Sequence, residues 1–204
     1  MLTTKDHLER MKATIRREAE ILGDLARTLD ENAAKALEIL LATRGHVLIG
    51  GAGTSNAVAR RFAHLLSCSG LPALFIHPAD SLHGGSGAVK PEDSVVLISK
   101  GGKTAEVNRF AEIAKGRGAK VISFTEDPRS ELASLCDVVV VVRIPPDSDP
   151  FGMVATSSSL ANAAVADAFC EAAIEATGHT VKTFAATHPG GAVGRKIEEK
   201  KILG

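Results

Sequence analysis

The chain has 204 residues with 24 basic and 24 acidic side chains, and this zero formal charge argues against a general nucleic-acid binder. Apolar residues make up 45%, a globular composition, and the lack of Trp and Tyr leaves little to stack on bases. No apolar run approaches a membrane span, and the opening residues Met1 to Asp6 lack the apolar centre of a signal peptide, so no membrane partner is expected.

The first 43 residues read as helical. Leu8, Met11, Ile15, Leu22, Leu25 and Leu29 follow spacings of three and four, with Glu18 interrupting the seam. Such a stripe ahead of a domain packs either on that domain or on another subunit. A second, Ala- and Leu-rich helix is predicted over Glu31 to Thr43. From His46 the chain alternates. Strands are predicted at His46–Ile49, Ala73–His77, Ser94–Ser99, Lys120–Phe124 and Val138–Arg143. Helical patterns separate them, one marked by Val58, Phe62, Leu65 and Leu66, another by Val107, Phe110, Ala111 and Ala114. The run Asp137–Arg143 is apolar at every interior position, as expected of a strand covered on both faces. A long Ala-rich helix, about Thr156 to Thr177, is apolar nearly all round and is expected to be buried or to lie at a subunit contact. The alternation implies one α/β domain with a doubly wound, five-stranded parallel sheet of flavodoxin-like type. The helical segment would be 1–43 and the α/β core 44–195.

In such sheets ligands bind beyond the carboxyl ends of the strands. That rule brings the loops Gly50–Asn56, Pro78–Val89 and Ser99–Glu106 together. In the first, an apolar run breaks into Gly50, Gly51 and Gly53 and then Thr54-Ser55-Asn56, the pattern of a strand, a tight turn and a helix start. Backbone N–H groups and the helix dipole then point at one spot, and a phosphate suits it. The loop starts like a dinucleotide fingerprint but ends in Asn56, and the second strand closes on His77-Pro78 rather than an acidic residue, so the NAD reading is weak. Gly102-Lys103-Thr104 lacks the upstream glycine of a nucleotide P-loop, since Leu97 stands there. Ser99-Lys-Gly-Gly-Lys-Thr104 nevertheless follows a strand and opens a helix, so Ser99, Lys100, Gly102, Lys103 and Thr104 suit an anion. Glu106, just inside that helix, is either favoured there by the dipole or is a base aimed into the cleft. Among Thr156, Ser157, Ser158 and Ser159 one hydroxyl is expected to cap the long helix, leaving others for phosphate. His83 and His188 lie in glycine-rich loops, and a histidine there suits proton transfer. A metal role for His83 and His188, with Asp149 or Asp80, is a weaker option. Cys68, Cys136 and Cys170 are scattered and odd in number, as expected of buried, inert thiols in a reducing, cytoplasmic compartment.

Together these features resemble the sugar isomerase (SIS) domain, and within it the arabinose-5-phosphate isomerase branch. The likeness runs from about His46 to Gly194. It includes Gly51-Ala-Gly-Thr-Ser55, His77-Pro78 with His83-Gly84, Ser99–Glu106, Thr156–Ser159 and Thr187-His-Pro-Gly-Gly-Ala-Val-Gly194. Many members continue into a pair of CBS modules. This chain ends at Gly204, so a SIS domain without them is expected. The resemblance implies an aldose–ketose isomerase acting on a sugar phosphate through a cis-enediol, with no organic cofactor and no metal. It implies catalytic roles for Glu106, Asp147 and His188, where Asp147 is a methylene shorter than the family glutamate. Thr54 stands where the family has a lysine, and Lys100 and Lys103 are two cations the family's phosphate loop commonly lacks. Either lysine would restore the missing charge. Gly53, Thr54, Ser55, His83, Ser99, Lys100, Gly102, Lys103, Thr104, Thr156, Ser157 and Ser158 form the expected binding set. His188 is expected to act across a subunit boundary, in a homodimer or homotetramer. A non-catalytic phosphosugar sensor is the alternative function for the same fold.

Overall fold

The computed structural model describes residues 3–203; Met1, Leu2 and Gly204, where the readings of the opening segment and of the chain's end fall, lie outside the described residues. Two helices come first, α1 (Thr4–Thr28) and α2 (Glu31–Ala42). Thr3 and Asp6 cap α1 reciprocally, and Asp30 caps α2. The α/β region follows as β1 (Val47–Gly51), α3 (Thr54–Cys68), β2 (Ala73–Phe75), α4 (Pro78–Leu82), β3 (Ser94–Ile98), α5 (Ala105–Gly116), β4 (Lys120–Thr125), α6 (Glu131–Leu135) and β5 (Val138–Val141). The long α7 (Ser157–Thr177) is followed by two short helices, α8 (Val181–Ala186) and α9 (Gly191–Glu199).

All five strands are parallel, in the order β2-β1-β3-β4-β5 expected of a flavodoxin-like sheet. The order reverses between β1 and β3, and the crevice at that switch point lies between the starts of α3 and α5. Alternate side chains divide the core. Val47, Ile49, Val96, Ile98, Ile122 and Phe124 face one layer with α1, α2, α3 and α7. Leu48, Val95, Leu97 and Val121 face the other, against Val107, Phe110 and Ala114 of α5. Phe62 of α3, Phe124 of β4 and Phe169 of α7 form an aromatic cluster with centroids 5.4–6.2 Å apart. Each ring, nearly fully buried, contributes about 2–3 kcal/mol, and together they fix α3 and α7 against the sheet.

Three expectations are corrected. The second strand stops at Phe75, because His77 turns out of it to cap α4, its Nδ1 accepting from Ala79 N. The valine run of β5 is not covered on both faces. Only Val140 is buried and Val138, Val139 and Val141 are half-buried, because β5 is an edge strand with one sheet neighbour. Of the three thiols, Cys170 is buried and pushed up to about 12 and Cys136 to about 11, both by burial, which makes them inert. Cys68 is half-exposed and contacts two histidines. Among the described residues no helix is long and apolar enough to cross a membrane.

Candidate active site

The turn from β1 into α3 passes through Gly53, whose φ of +58° and ψ of −129° belong to a region open in practice to glycine alone. The turn from β3 into α5 passes through Gly102 at φ +61°. There a Cβ would lie 2.1 Å from Ser130 Oγ, so the residue must also be small. The Gly102 carbonyl accepts from Leu132 N and Asn108 Nδ2, which ties the turn to α6 and α5. Gly102 therefore shapes the loop rather than lining it.

These turns bring two helix N-termini to one place. Neither Gly53 nor Thr104, the N-cap residues of α3 and α5, offers a side-chain hydrogen bond to the first amides. Uncapped amides at the positive ends of two dipoles converge on a cavity of about 420 Å³. Thr54 and Ser55 line it from α3, Ser99, Lys100, Lys103 and Thr104 from the other turn, and Met153 and Ala155 from the segment before α7. Ser99 Oγ and Thr104 Oγ1 are 3.3 Å apart, so both hydroxyls face the same spot.

The two lysines of this loop differ. Lys100 Nζ donates to Asp149 Oδ2 at 2.9 Å, a carboxylate whose side chain is only 1% exposed. Lys103 is exposed, lines the cavity and has no acidic partner among the described residues. Asp149 also accepts from Ser158 N at 3.0 Å through Oδ1 and from Ser158 Oγ at 2.6 Å through Oδ2. Burial pushes its carboxyl up, but the Ser158 donors and the Lys100 ammonium outweigh this and hold it below the usual carboxylate value. The expected hydroxyl cap of α7 is thereby corrected: Thr156 makes no capping bond, and Asp149, seven residues before it, takes the place. Ser157 Oγ donates to the Ser148 carbonyl at 3.2 Å and Ser159 Oγ to that of Thr156 at 3.0 Å. Ser157 and Ser158 are buried with their hydroxyls committed, while Thr156 is exposed at the start of the helix. None of the three lines the cavity.

Of the remaining residues, Glu106 is exposed in the first turn of α5. Asp147 lines a neighbouring cavity of about 430 Å³ with Glu126, Arg129 and Arg143, and Lys100 borders both cavities. The loop carrying Asp147 is strained, with φ of 63° at Asp147 and 58° at Phe151. His83 is exposed at the C-cap of α4 and lines neither cavity. His188 stands elsewhere. Its Nε2 lies 3.4 Å from Cys68 Sγ at the C-terminal end of α3, a helix roughly 20 Å long at 1.5 Å per residue. His188 is thus at the opposite end of the sheet from its own chain's Thr54 and Ser55. The ring stacks on Phe184 at 3.7 Å, and Nδ1 donates to the Phe184 carbonyl at 2.8 Å, which leaves Nε2 as the acceptor toward Cys68. The following turn is tight: a Cβ on Gly194 would meet the Pro189 carbonyl oxygen at 2.3 Å. The suggested metal role for His83 and His188 is corrected, since the ring of His188 packs on Phe184 beside Cys68 and does not meet His83. Among the described residues no three His, Cys, Asp or Glu side chains converge as metal ligands.

Two contacts escaped the sequence reading. The Asp149 cap spans an irregular loop, so no local spacing rule finds it. The Cys68–His188 contact joins residues 120 apart in the chain.

The chain is similar in sequence and fold to known proteins. A family model described as SIS domain matches residues 40–172. The arabinose 5-phosphate isomerase KdsD of Pseudomonas aeruginosa is 34% identical over 192 residues, 94% of this chain and 59% of that protein. The KdsD of Escherichia coli K12 is also 34% identical, over 88% of this chain and 55% of that protein. The chain thus spans little more than half the length of these curated relatives. Among solved structures, a protein of Escherichia coli CFT073 in complex with a sugar phosphate superposes with a TM-score of 0.88 at 29% identity, covering 92% of this chain and 100% of that one. A chain from Listeria monocytogenes superposes at 0.89 with 31% identity, covering 93% and 100%.

Proposed function

The chain belongs to the SIS domain family, and on that premise we propose that it is a phosphosugar isomerase interconverting an aldose phosphate and its ketose. One observation carries the reading: two uncapped helix N-termini and the free Lys103 meet at one cavity. The E. coli protein in complex with a sugar phosphate shares this fold, and such a ligand, anchored by Ser55, Ser99, Thr104 and the adjoining amides, suits the cavity. Lys103 supplies the cation that Thr54 lacks, since Lys100 is held by Asp149.

The anchor positions the reacting carbons, which accounts for much of the rate. A carboxylate removes the proton from the carbon beside the carbonyl. The resulting cis-enediol takes it back on the neighbouring carbon, while a second proton moves between the two oxygens. Glu106 is the first choice of base and Asp147 the rival. No step needs an organic cofactor. His188 opens the ring or shuttles the proton between oxygens, and from its place beside Cys68 it does so at the site of another copy. That requires a homo-oligomer, a dimer or a tetramer. The unpaired cysteines fit a cytoplasmic protein.

The test is proton NMR of pentose and hexose phosphates incubated with the protein in heavy water. Deuterium entering beside the carbonyl of one sugar, and lost in Glu106→Gln, supports the isomerase. Thermal stabilisation by a sugar phosphate with no exchange in any of them overturns it in favour of a sensor.

A further inference from the structure

The ring of His188 is held from three sides. Its face stacks on Phe184, with centroids 3.7 Å apart. Its Nδ1 meets two oxygens, the Phe184 carbonyl at 2.8 Å and Thr187 Oγ1 at 3.0 Å. Thr187 donates its own hydroxyl hydrogen to that same carbonyl, also at 3.0 Å, so its oxygen faces Nδ1 as an acceptor. Two acceptors beside Nδ1 place the hydrogen of the neutral imidazole there and leave Nε2 with a bare lone pair.

Among the described residues, one polar contact of this ring leaves its own turn. Cys68 Sγ, 120 residues away in the chain, lies 3.4 Å from Nε2. A second imidazole touches the same sulfur: His64 Nε2, one turn back along α3, is 3.8 Å from it. An N–H of His64 on the sulfur leaves the thiol hydrogen for His188. The donors then run in one direction, from the exposed His64 through Cys68 to the half-buried His188.

A thiol is a weak donor, so its bond orients Nε2 without committing it, and a sugar hydroxyl is able to replace it. A neutral ring with Nε2 bare begins by accepting a proton. At a sugar hydroxyl the O–H bond breaks and an Nε2–H bond forms. The imidazolium, still bonded to the Phe184 carbonyl, then returns that proton to the neighbouring oxygen.

We infer that Cys68 is a positioning residue for His188, a role that rests on the isomerase reading. Its thiol fixes the orientation of the ring through Nε2, while the Phe184 and Thr187 oxygens hold the Nδ1–H form that accepts a proton.

Two measurements on the full chain test it. Nitrogen NMR of histidine-labelled protein reads the tautomer without substrate, the His188 signals being those lost in His188→Gln. A ring protonated at Nδ1 is expected, with its Nε2 signal shifted in Cys68→Ala. A ring protonated at Nε2, or an Nε2 signal indifferent to Cys68→Ala, overturns the inference. Kinetics of deuterium exchange into the sugar phosphate give the second readout. Cys68→Ala should lower kcat about tenfold, the worth of one hydrogen bond, with KM and melting temperature little changed. Cys68→Ser, which keeps a donor of similar size, should recover most of that loss. A loss carried by KM, or a Cys68→Ser no better than Cys68→Ala, overturns the positioning role. Exchange that Cys68→Ala leaves unchanged overturns this role alone, whereas no exchange by the unsubstituted chain overturns the isomerase reading and the role with it.

Discussion

Three long helices begin at the carboxyl edge of the same parallel sheet, and they begin differently. The starts of α3 and α5 leave their amides free and face a shared cavity. The start of α7 is closed by the buried Asp149, which caps it and grips Lys100. All three carry the same partial positive charge. A helix start already satisfied by its own carboxylate has nothing left to offer an anion, whereas the free amides of α3 and α5 do. The contrast also separates two lysines three residues apart, Lys100 paired with Asp149 inside the protein and Lys103 exposed at the cavity with no acidic partner among the described residues.

The contrast can be broken most severely at the chemistry. Glu106→Gln should lower deuterium exchange into the substrate by about 100-fold or more, while leaving phosphosugar affinity by calorimetry little changed. Parallel losses of affinity and exchange would mean that Glu106 holds substrate instead. Next comes the closed helix start. Asp149→Ala should cost about 2–3 kcal/mol in urea unfolding at neutral pH, from the lost cap and the lost partner of Lys100. The sign of its pH dependence follows from the depressed carboxyl. The stabilisation is complete above the unfolded-state value and is lost as pH falls through the folded one. The gap between unsubstituted and variant proteins should therefore be constant around neutrality and narrow only at acid pH. A gap that widened in acid would reverse the assignment.

The smaller effects sharpen the contrast between the lysines. Lys103→Ala should weaken phosphosugar binding about tenfold, the worth of one charge-assisted hydrogen bond, with no change in melting temperature. Lys100→Met should do the opposite, lowering the melting temperature by a few degrees while changing affinity less. If Lys100→Met were the more damaging to affinity, the two roles would have to be exchanged.

Much of this was legible in the sequence. Strand–helix alternation, the glycines at 50, 51 and 53, and the hydroxyls at Thr54, Ser55, Ser99 and Thr104 announce the sheet, its switch point and the phosphate-suited turns. They act locally: the φ of +58° with ψ of −129° at Gly53 is open in practice to glycine alone, wherever the rest of the chain goes. Heptad-like spacing likewise announces α1. What local rules do not reach is pairing across distance. Lys100 and Lys103 read alike until folding sets Asp149 beside one of them. The hydroxyls of Ser157 and Ser158 read as phosphate donors until burial turns them inward. His188 reads only as a histidine in a glycine-rich loop until folding sets it beside Cys68, at the end of α3 far from the cavity. The strands, the long helices, their order and the turn chemistry could be read from the chain alone, because each depends on dihedral preference and periodicity within a few residues; the short helices α4, α6, α8 and α9 could not. Which polar groups were already satisfied emerged only on folding, because that depends on partners brought together from 9 to 139 residues apart.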